Sequence, residues 1–282
     1  MEPVLREITA GELQERIDAR NEIPFSVWDG KVRMSVAGYQ DKLLILALGE
    51  KICLADGTLS STHILKPEAI NRAMPHMVAN EHYCMRLMSR VTARHFKRDM
   101  VAPVEIRRVP SPVLLIRRFD REGRAAQTKR LHIIDGCQAV DLPVSLKYER
   151  NMGSGADVQH IRDGMSFEKV MSIRVWLQKP AEQLRHLVAW AVSTLLLGNS
   201  DAHGKTFLFS RAAPGCQSRP CTTLSALRST TAMRTNTTSQ WHLETFSPSR
   251  KSALLPLQIF VCGVAFHALT SPVSSLGYAQ PL

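Results

Sequence analysis

Between Gly198 and Thr206 the sequence reads Gly-Asn-Ser-Asp-Ala-His-Gly-Lys-Thr. A carboxylate, an imidazole, an ammonium and two glycines sit together between a long apolar run and the apolar Phe207–Phe209. Asp201, His203 and Lys205 alternate, so in an extended loop their side chains project to one side. Such a set could place one base and two proton donors around a phosphate. The same residues also make an ordinary solvated turn, with Asn199 and Asp201 bonding their own backbone.

Three other places carry possible phosphate chemistry. Val36-Ala37-Gly38 breaks two apolar stretches and can lie over a phosphate with its N–H groups unobstructed, or form a plain hairpin. Lys66 ends the apolar strand Thr62–Lys66 just before Pro67, where it can snorkel to water or reach an anion. Glu81 lies one turn into the next helix; it favours the helix N-terminus by charge, or pairs with Lys66. Arg117-Arg118-Phe119-Asp120-Arg121 closes a further apolar strand.

The elements that must position these residues follow from periodicity. Thr9 and Glu12 have capping-box spacing ahead of a short helix over about residues 9–19. Lys31–Ser35 and Leu43–Leu48 read as strands, and residues 78–91 as an amphipathic helix with Val78, Cys84, Met85, Leu87, Met88 and Val91 on its apolar face. Val104–Val109 and Val113–Arg118 are strands around the rigid Pro110-Ser111-Pro112. The pattern then turns helical: Leu131–Ala139, Phe167–Leu177 and Glu182–Leu197. In the last, Leu184, Leu187, Val188, Ala191, Val192, Leu195 and Leu196 make a wide apolar stripe, and Gly198 supplies its stop.

The chain has 282 residues and a net charge of +11, which favours phosphate-bearing or acidic partners. No compact Lys/Arg run marks a nucleic-acid-binding arm, so direct nucleic-acid binding is not expected. The six cysteines show no CxxC or His/Cys metal spacing and read as reduced, cytoplasmic thiols. The charged start lacks the apolar core of a signal peptide, and Pro256, Gln258, Gly263 and His267 interrupt the apolar run 253–269, so no membrane span is assigned.

Beyond about Ser210 the character changes. Residues 211–282 hold one acid, Glu244, against six Lys/Arg, and Ser218–Ser239 has neither helical nor strand period. This segment reads as poorly foldable, as a frameshift near residues 206–215 would produce.

Six motifs in order resemble the HipA-type serine/threonine kinases, the toxin half of bacterial toxin–antitoxin pairs. They are Ser35–Lys42, Ser61–Pro67, Asn80–Cys84, Arg118–Arg121, Asp135–Ala139 with Leu142-Pro143 and Lys147–Glu149, and Gly198–Lys205. The resemblance covers about residues 5–210. It implies an α+β, two-lobed protein-kinase-like fold: residues 1–122 a β-rich lobe with one helix, 123–210 a partial helical lobe carrying the catalytic loop, and 211–282 outside the family pattern. Relatives carry a further N-terminal subdomain, so the chain reads as short at the front.

The resemblance also implies roles. Val36, Ala37 and Gly38 cover the nucleotide phosphates, and Ser35 is the autophosphorylated serine. Lys66 holds the phosphates with Glu81 as its partner, and Arg118 and Phe119 lie beside the adenine. Asp201 is the catalytic aspartate, with His203 and Lys205 near the transferred phosphate. ATP and Mg²⁺ would be the cofactors, a protein hydroxyl the acceptor, and a HipB-like DNA-binding antitoxin a partner. Two departures stand out. Thr206 occupies the place of a family asparagine that binds magnesium, and residues 211–282 contain no aspartate to serve as the principal metal ligand. No metal ligand is therefore assigned. The alternative is an impaired relic that binds at most nucleotide or antitoxin.

Overall fold

A computed structural model describes residues 2–218, apart from 34–39, 72–73, 97–98, 124–127, 154, 159, 200 and 212–215. Ser35, Val36, Ala37 and Gly38 lie outside the described residues.

The chain opens with strand β1 (Val4–Ile8) and helix α1 (Ala10–Asp18), whose Thr9 side chain caps the N–H of Glu12. The short hairpin β2 (Val27–Trp28) and β3 (Lys31–Val32) follows. Next come β4 (Leu43–Leu48), β5 (Lys51–Asp56), β6 (His63–Pro67), helix α2 (Met77–Thr92), β7 (Val104–Val109) and β8 (Ser111–Arg117). These make a six-stranded antiparallel sheet in the order β1-β5-β4-β6-β8-β7. Strand β8 starts at Ser111, so Pro112 lies inside the ladder opposite Arg108 rather than in a three-residue turn.

The sheet is buried on both faces, and the two-residue period of its strands sorts their side chains. Leu43, Ile45, Leu65, Val113 and Leu115 pack with Leu13 and Ile17 of α1. Ile64, Leu114 and Ile116 face the other way, onto Val78, Cys84, Met85 and Met88 of α2. Lys66, two residues after Ile64 and opposite Leu114, therefore points toward α2.

After β8 come two small pieces, β9 (Arg121–Glu122) and β10 (Lys129–Arg130), then β11 (Ile133–Asp135) and the four-residue helix α3 (Gly136–Ala139). The helix expected over Leu131–Ala139 is thus confined to Gly136–Ala139, and Ile133–Asp135 is strand. Ile133 and Ile134 pair with Ser210 and Phe209 of β14 (Leu208–Arg211), and Asp135 opens α3 through a capping box with Gln138. Strand β14 pairs in turn with β15 (Cys216–Ser218). Between α3 and β14 lie the hairpin β12 (Glu149–Asn151) and β13 (Arg162–Gly164), helix α4 (Phe167–Ser172) and helix α5 (Pro180–Leu197).

Helix α5 ends at Gly198 in the left-handed region, φ +64°, as its sequence requires. Its buried side differs from the aliphatic stripe. Gln183, His186, Leu187, Ala189, Trp190 and Thr194 are buried, while Leu184, Val188, Val192 and Leu195 are half-buried. Aromatic contacts account for the rotation: Trp190 lies 4.2 Å from Phe207 and His186 4.6 Å from Phe96, ring centre to ring centre. One continuous core joins Ile64, Leu114, Ile116 and α2 to Trp190, Ala202, Phe207 and Phe209. That core fixes the Asp201 loop relative to the sheet. No described helix is long and apolar enough to cross a membrane.

Candidate active site

Lys66 and Glu81 form a buried ion pair, Nζ to Oε1 2.7 Å, with both side chains at most 5% exposed. Burying either charge alone would cost several kcal/mol, roughly, so the contact holds strand β6 to helix α2. A second tie reinforces it. Glu68, two residues past Lys66, accepts hydrogen bonds from the Met77 N–H at 2.9 Å and the Val78 N–H at 3.0 Å. His76 stands at the cap position with φ +60° and gives no side-chain cap, so this carboxylate closes the N-terminus of α2. Arg20 then grips the Glu68 carbonyl at 2.6 Å and the Asp41 carboxylate at 3.5 Å.

Lys42 is the residue that sequence reasoning missed. It is buried just ahead of β4, and that burial pushes its ammonium down to about 8. The charge of Lys66 acts in the same direction, while Glu81, Asp41 and Asp201 act against it. Lys42 therefore lies in the field of both the Lys66–Glu81 pair and the Asp201 loop. Its signal was present, a lysine directly ahead of the apolar run Leu43–Leu48.

Asp201 sits at the mouth of the site. Tyr148 donates its hydroxyl to Asp201 Oδ1 at 2.9 Å, and His203 Nε2 lies 3.9 Å from the same oxygen. The Tyr148 ring stands edge-on to His203, 5.1 Å between centres, with the Lys147 ammonium 4.8 Å from its own centre. Burial, followed by the bond to Asp201, pushes the Tyr148 phenol up to about 12. Burial lowers the His203 imidazole, and Asp201 opposes that shift. Its Nδ1 is buried without a hydrogen-bond partner among the described residues.

The expected alternation stops at His203. Gly204–Thr206 is a 3₁₀ turn, not extended chain. Lys205 leaves in another direction and donates to Asp135 Oδ2 at 2.7 Å, the residue that caps α3. The Thr206 hydroxyl donates to the His203 carbonyl at 2.6 Å. Arg118 is occupied as well. Its guanidinium forks onto both oxygens of Asp120, at 3.0 and 2.8 Å, and reaches Ser61 Oγ at 3.2 Å. Phe119 is half-buried beside this network. The loop is seated by close backbone contact, since a Cβ at Gly136 would lie 2.6 Å from the Gly204 carbonyl oxygen. A Cβ at Gly204 would lie 2.8 Å from Cys137 Sγ.

The donors present suit a polyphosphate, since two ammonium groups, Lys42 and Lys66, are buried within electrostatic range of each other. No cluster of three or more His, Cys, Asp or Glu side chains among the described residues could hold a metal ion, and the Thr206 hydroxyl is already committed.

A β-rich sheet whose buried lysine pairs with a helical glutamate, followed along the chain by an aspartate loop at the end of a helix, is the order of parts in kinase-like folds. Residues 34–243 match the HipA-like C-terminal domain family, and the chain belongs to that family. It is 40% identical over 228 residues to the serine/threonine-protein kinase toxin HipA of Shewanella oneidensis, covering 78% of this chain and 49% of that protein. The Y4mE protein of Sinorhizobium fredii is 31% identical over 193 residues, covering 68% of this chain and 42% of that protein. The solved complex of Shewanella oneidensis HipA with HipB and operator DNA superposes with a TM-score of 0.63 at 39% identity. That match covers 79% of this chain and 51% of the other. The chain thus spans about half the length of the relatives it matches.

Proposed function

We propose that this chain is the nucleotide-binding and catalytic-loop portion of a HipA-type serine/threonine kinase. It would move the γ-phosphate of ATP to a protein hydroxyl, as the toxin of a toxin–antitoxin pair in the cytoplasm. The observation that carries this reading is the buried Lys66–Glu81 ion pair, with Lys42 within electrostatic range of both partners and of Asp201. Phosphoryl transfer needs cations along the phosphates and a carboxylate at the acceptor, all fixed in advance. Lys66, oriented by Glu81, would hold the phosphates, and Lys42 would share that work. Asp201 would orient the acceptor hydroxyl and take its proton through Oδ2, while Tyr148 holds Oδ1. His203 would lie beside the transferred group. Lys205 and Arg118 would act by fixing their loops. Phe119 would flank the adenine, and Val36–Gly38 would close over the phosphates with Ser35 as the modified residue. In this reading the sheet and α2 form a small lobe over residues 1–122, and 123–210 begin a helical one, left incomplete by 211–282. A HipB-like antitoxin is the proposed partner, in parallel with the Shewanella oneidensis complex.

A magnesium ion bound with ATP would supply charge neutralisation. A second reading follows from the same place. With Thr206 bonded to its own loop and no aspartate in 211–282, the chain would bind nucleotide and transfer phosphate poorly or not at all.

The test is calorimetric titration of ATP beside an autophosphorylation assay. Lys66→Ala should weaken ATP binding, whereas Asp201→Asn should spare binding and abolish any transfer. Equal loss of binding in both variants would overturn the assigned roles. ATP binding by the parent chain with no transfer in any variant would establish the second reading.

A further inference from the structure

Helix α2 buries Val78, Glu81, Cys84, Met85, Met88 and Thr92, and its opposite side carries two parallel ridges. Tyr83, Leu87 and Val91, spaced by four, are exposed, Tyr83 by 65% and Val91 by 56%. Arg86 and Arg90 run alongside, with Arg94 in the turn just past the end of the helix at Thr92, and all three are exposed. Residues four apart stack one above the other on a helix, so the face is an apolar ridge flanked by a cationic one.

Nothing described neutralises these arginines. The only acid on α2 is Glu81, which is buried against Lys66. None of the three joins an ion pair among the described residues. The chain beyond Ser218 is also the wrong sign to cover them, with Glu244 as its single acid.

We infer that this outer face of α2 is a docking surface for an acidic amphipathic helix of a partner protein. Apolar residues at i, i+4 spacing on that helix would lie along Tyr83–Leu87–Val91, and a neighbouring row of Glu or Asp would meet Arg86–Arg90–Arg94. This is ordinary helix-on-helix packing with charge setting the register. The opposite side of α2 holds Glu81, so an occupant of this face bears on the helix that orients Lys66. The inference does not depend on phosphoryl transfer.

The test uses the full chain and fluorescence anisotropy. The probe is a labelled 21-residue synthetic helix with Leu and Glu rows at i, i+4 spacing, roughly six turns long by helix geometry. Controls are a scrambled peptide of equal composition, polyglutamate, duplex DNA and vesicles containing phosphatidylserine. Arg86→Glu/Arg90→Glu should weaken binding of the periodic peptide at least about tenfold, a change of about 1.4 kcal/mol. Leu87→Ser/Val91→Ser should weaken it about as much, with thermal melts unchanged in both variants. Equal binding of the scrambled peptide or of duplex DNA, preference for vesicles, or binding unmoved by the substitutions would each overturn the proposal.

Discussion

Tyr148 and Asp201 meet at a single oxygen: the phenol donates to Oδ1 at 2.9 Å and leaves Oδ2 without a partner among the described residues. The bond comes from the loop between α3 and β12, 53 positions earlier in the chain. In the proposed kinase this fixes the rotation of the carboxylate. Tyr148→Phe should lower kcat about tenfold, the order expected for a hydrogen bond to a charged group partly screened by water. KM for ATP should not move. A rise in KM with kcat preserved, read by steady-state kinetics, would place Tyr148 in nucleotide binding instead.

The Lys66–Glu81 pair separates stability from chemistry. Lys66→Met strands Glu81 in the core and should cost about 3–5 kcal/mol in a denaturant melt. The double variant Lys66→Met/Glu81→Leu should recover most of that loss while ATP binding stays weak. A double variant no more stable than the single one would show that the two charges are not coupled.

Lys42 makes a pH prediction. Its folded-state value, about 8, lies below the ordinary 10.5. Below pH 8 both folded and unfolded chains are protonated there, and the burial penalty is complete. Between pH 8 and 10.5 only the unfolded chain keeps the proton, so this residue's contribution to stability rises with pH across that window. Lys42→Met should flatten the rise in melts between pH 7.5 and 10, roughly the span set by that shift. Polyphosphate binding would favour the charged form, so titration at about pH 8.5 should take up protons, visible as a heat that depends on the buffer.

Glu68 tests the link between β6 and α2. Glu68→Ala removes the acceptor for two N–H groups and should cost about 1–2 kcal/mol. Glu68→Gln keeps an acceptor oxygen without the charge and should lose less. Should the two variants melt alike, the cap adds nothing beyond its charge.

Some of this arrangement was legible in the sequence. Lys66 and Glu81 could be paired on paper because a strand period and a helix period each leave one side to face the other. Asp201 stood out because a stop glycine ties its loop to a long helix. Arg118, Lys205 and Thr206 look like ligand-binding groups as residue types, yet their partners are Asp120, Asp135 and the His203 carbonyl. Nothing in local spacing reveals a partner 70 positions away, as Asp135 is from Lys205. The strand at Ile133–Asp135 was hidden for the same reason, since its pairing residues are Leu208–Ser210. Lys42 was overlooked because a lysine next to an apolar strand reads as an edge, and only packing shows that it is enclosed.

The Asp201 loop is seated where two chain segments touch with no side chain between them, at Gly136 and Gly204. Position there is set by an absence of atoms. A single methyl group at Gly136 is a shim: it meets the Gly204 carbonyl, so the segment that carries Asp201 must shift. In the proposed kinase, drift at Gly136 would silence the site while every chemically recognisable residue stayed in place.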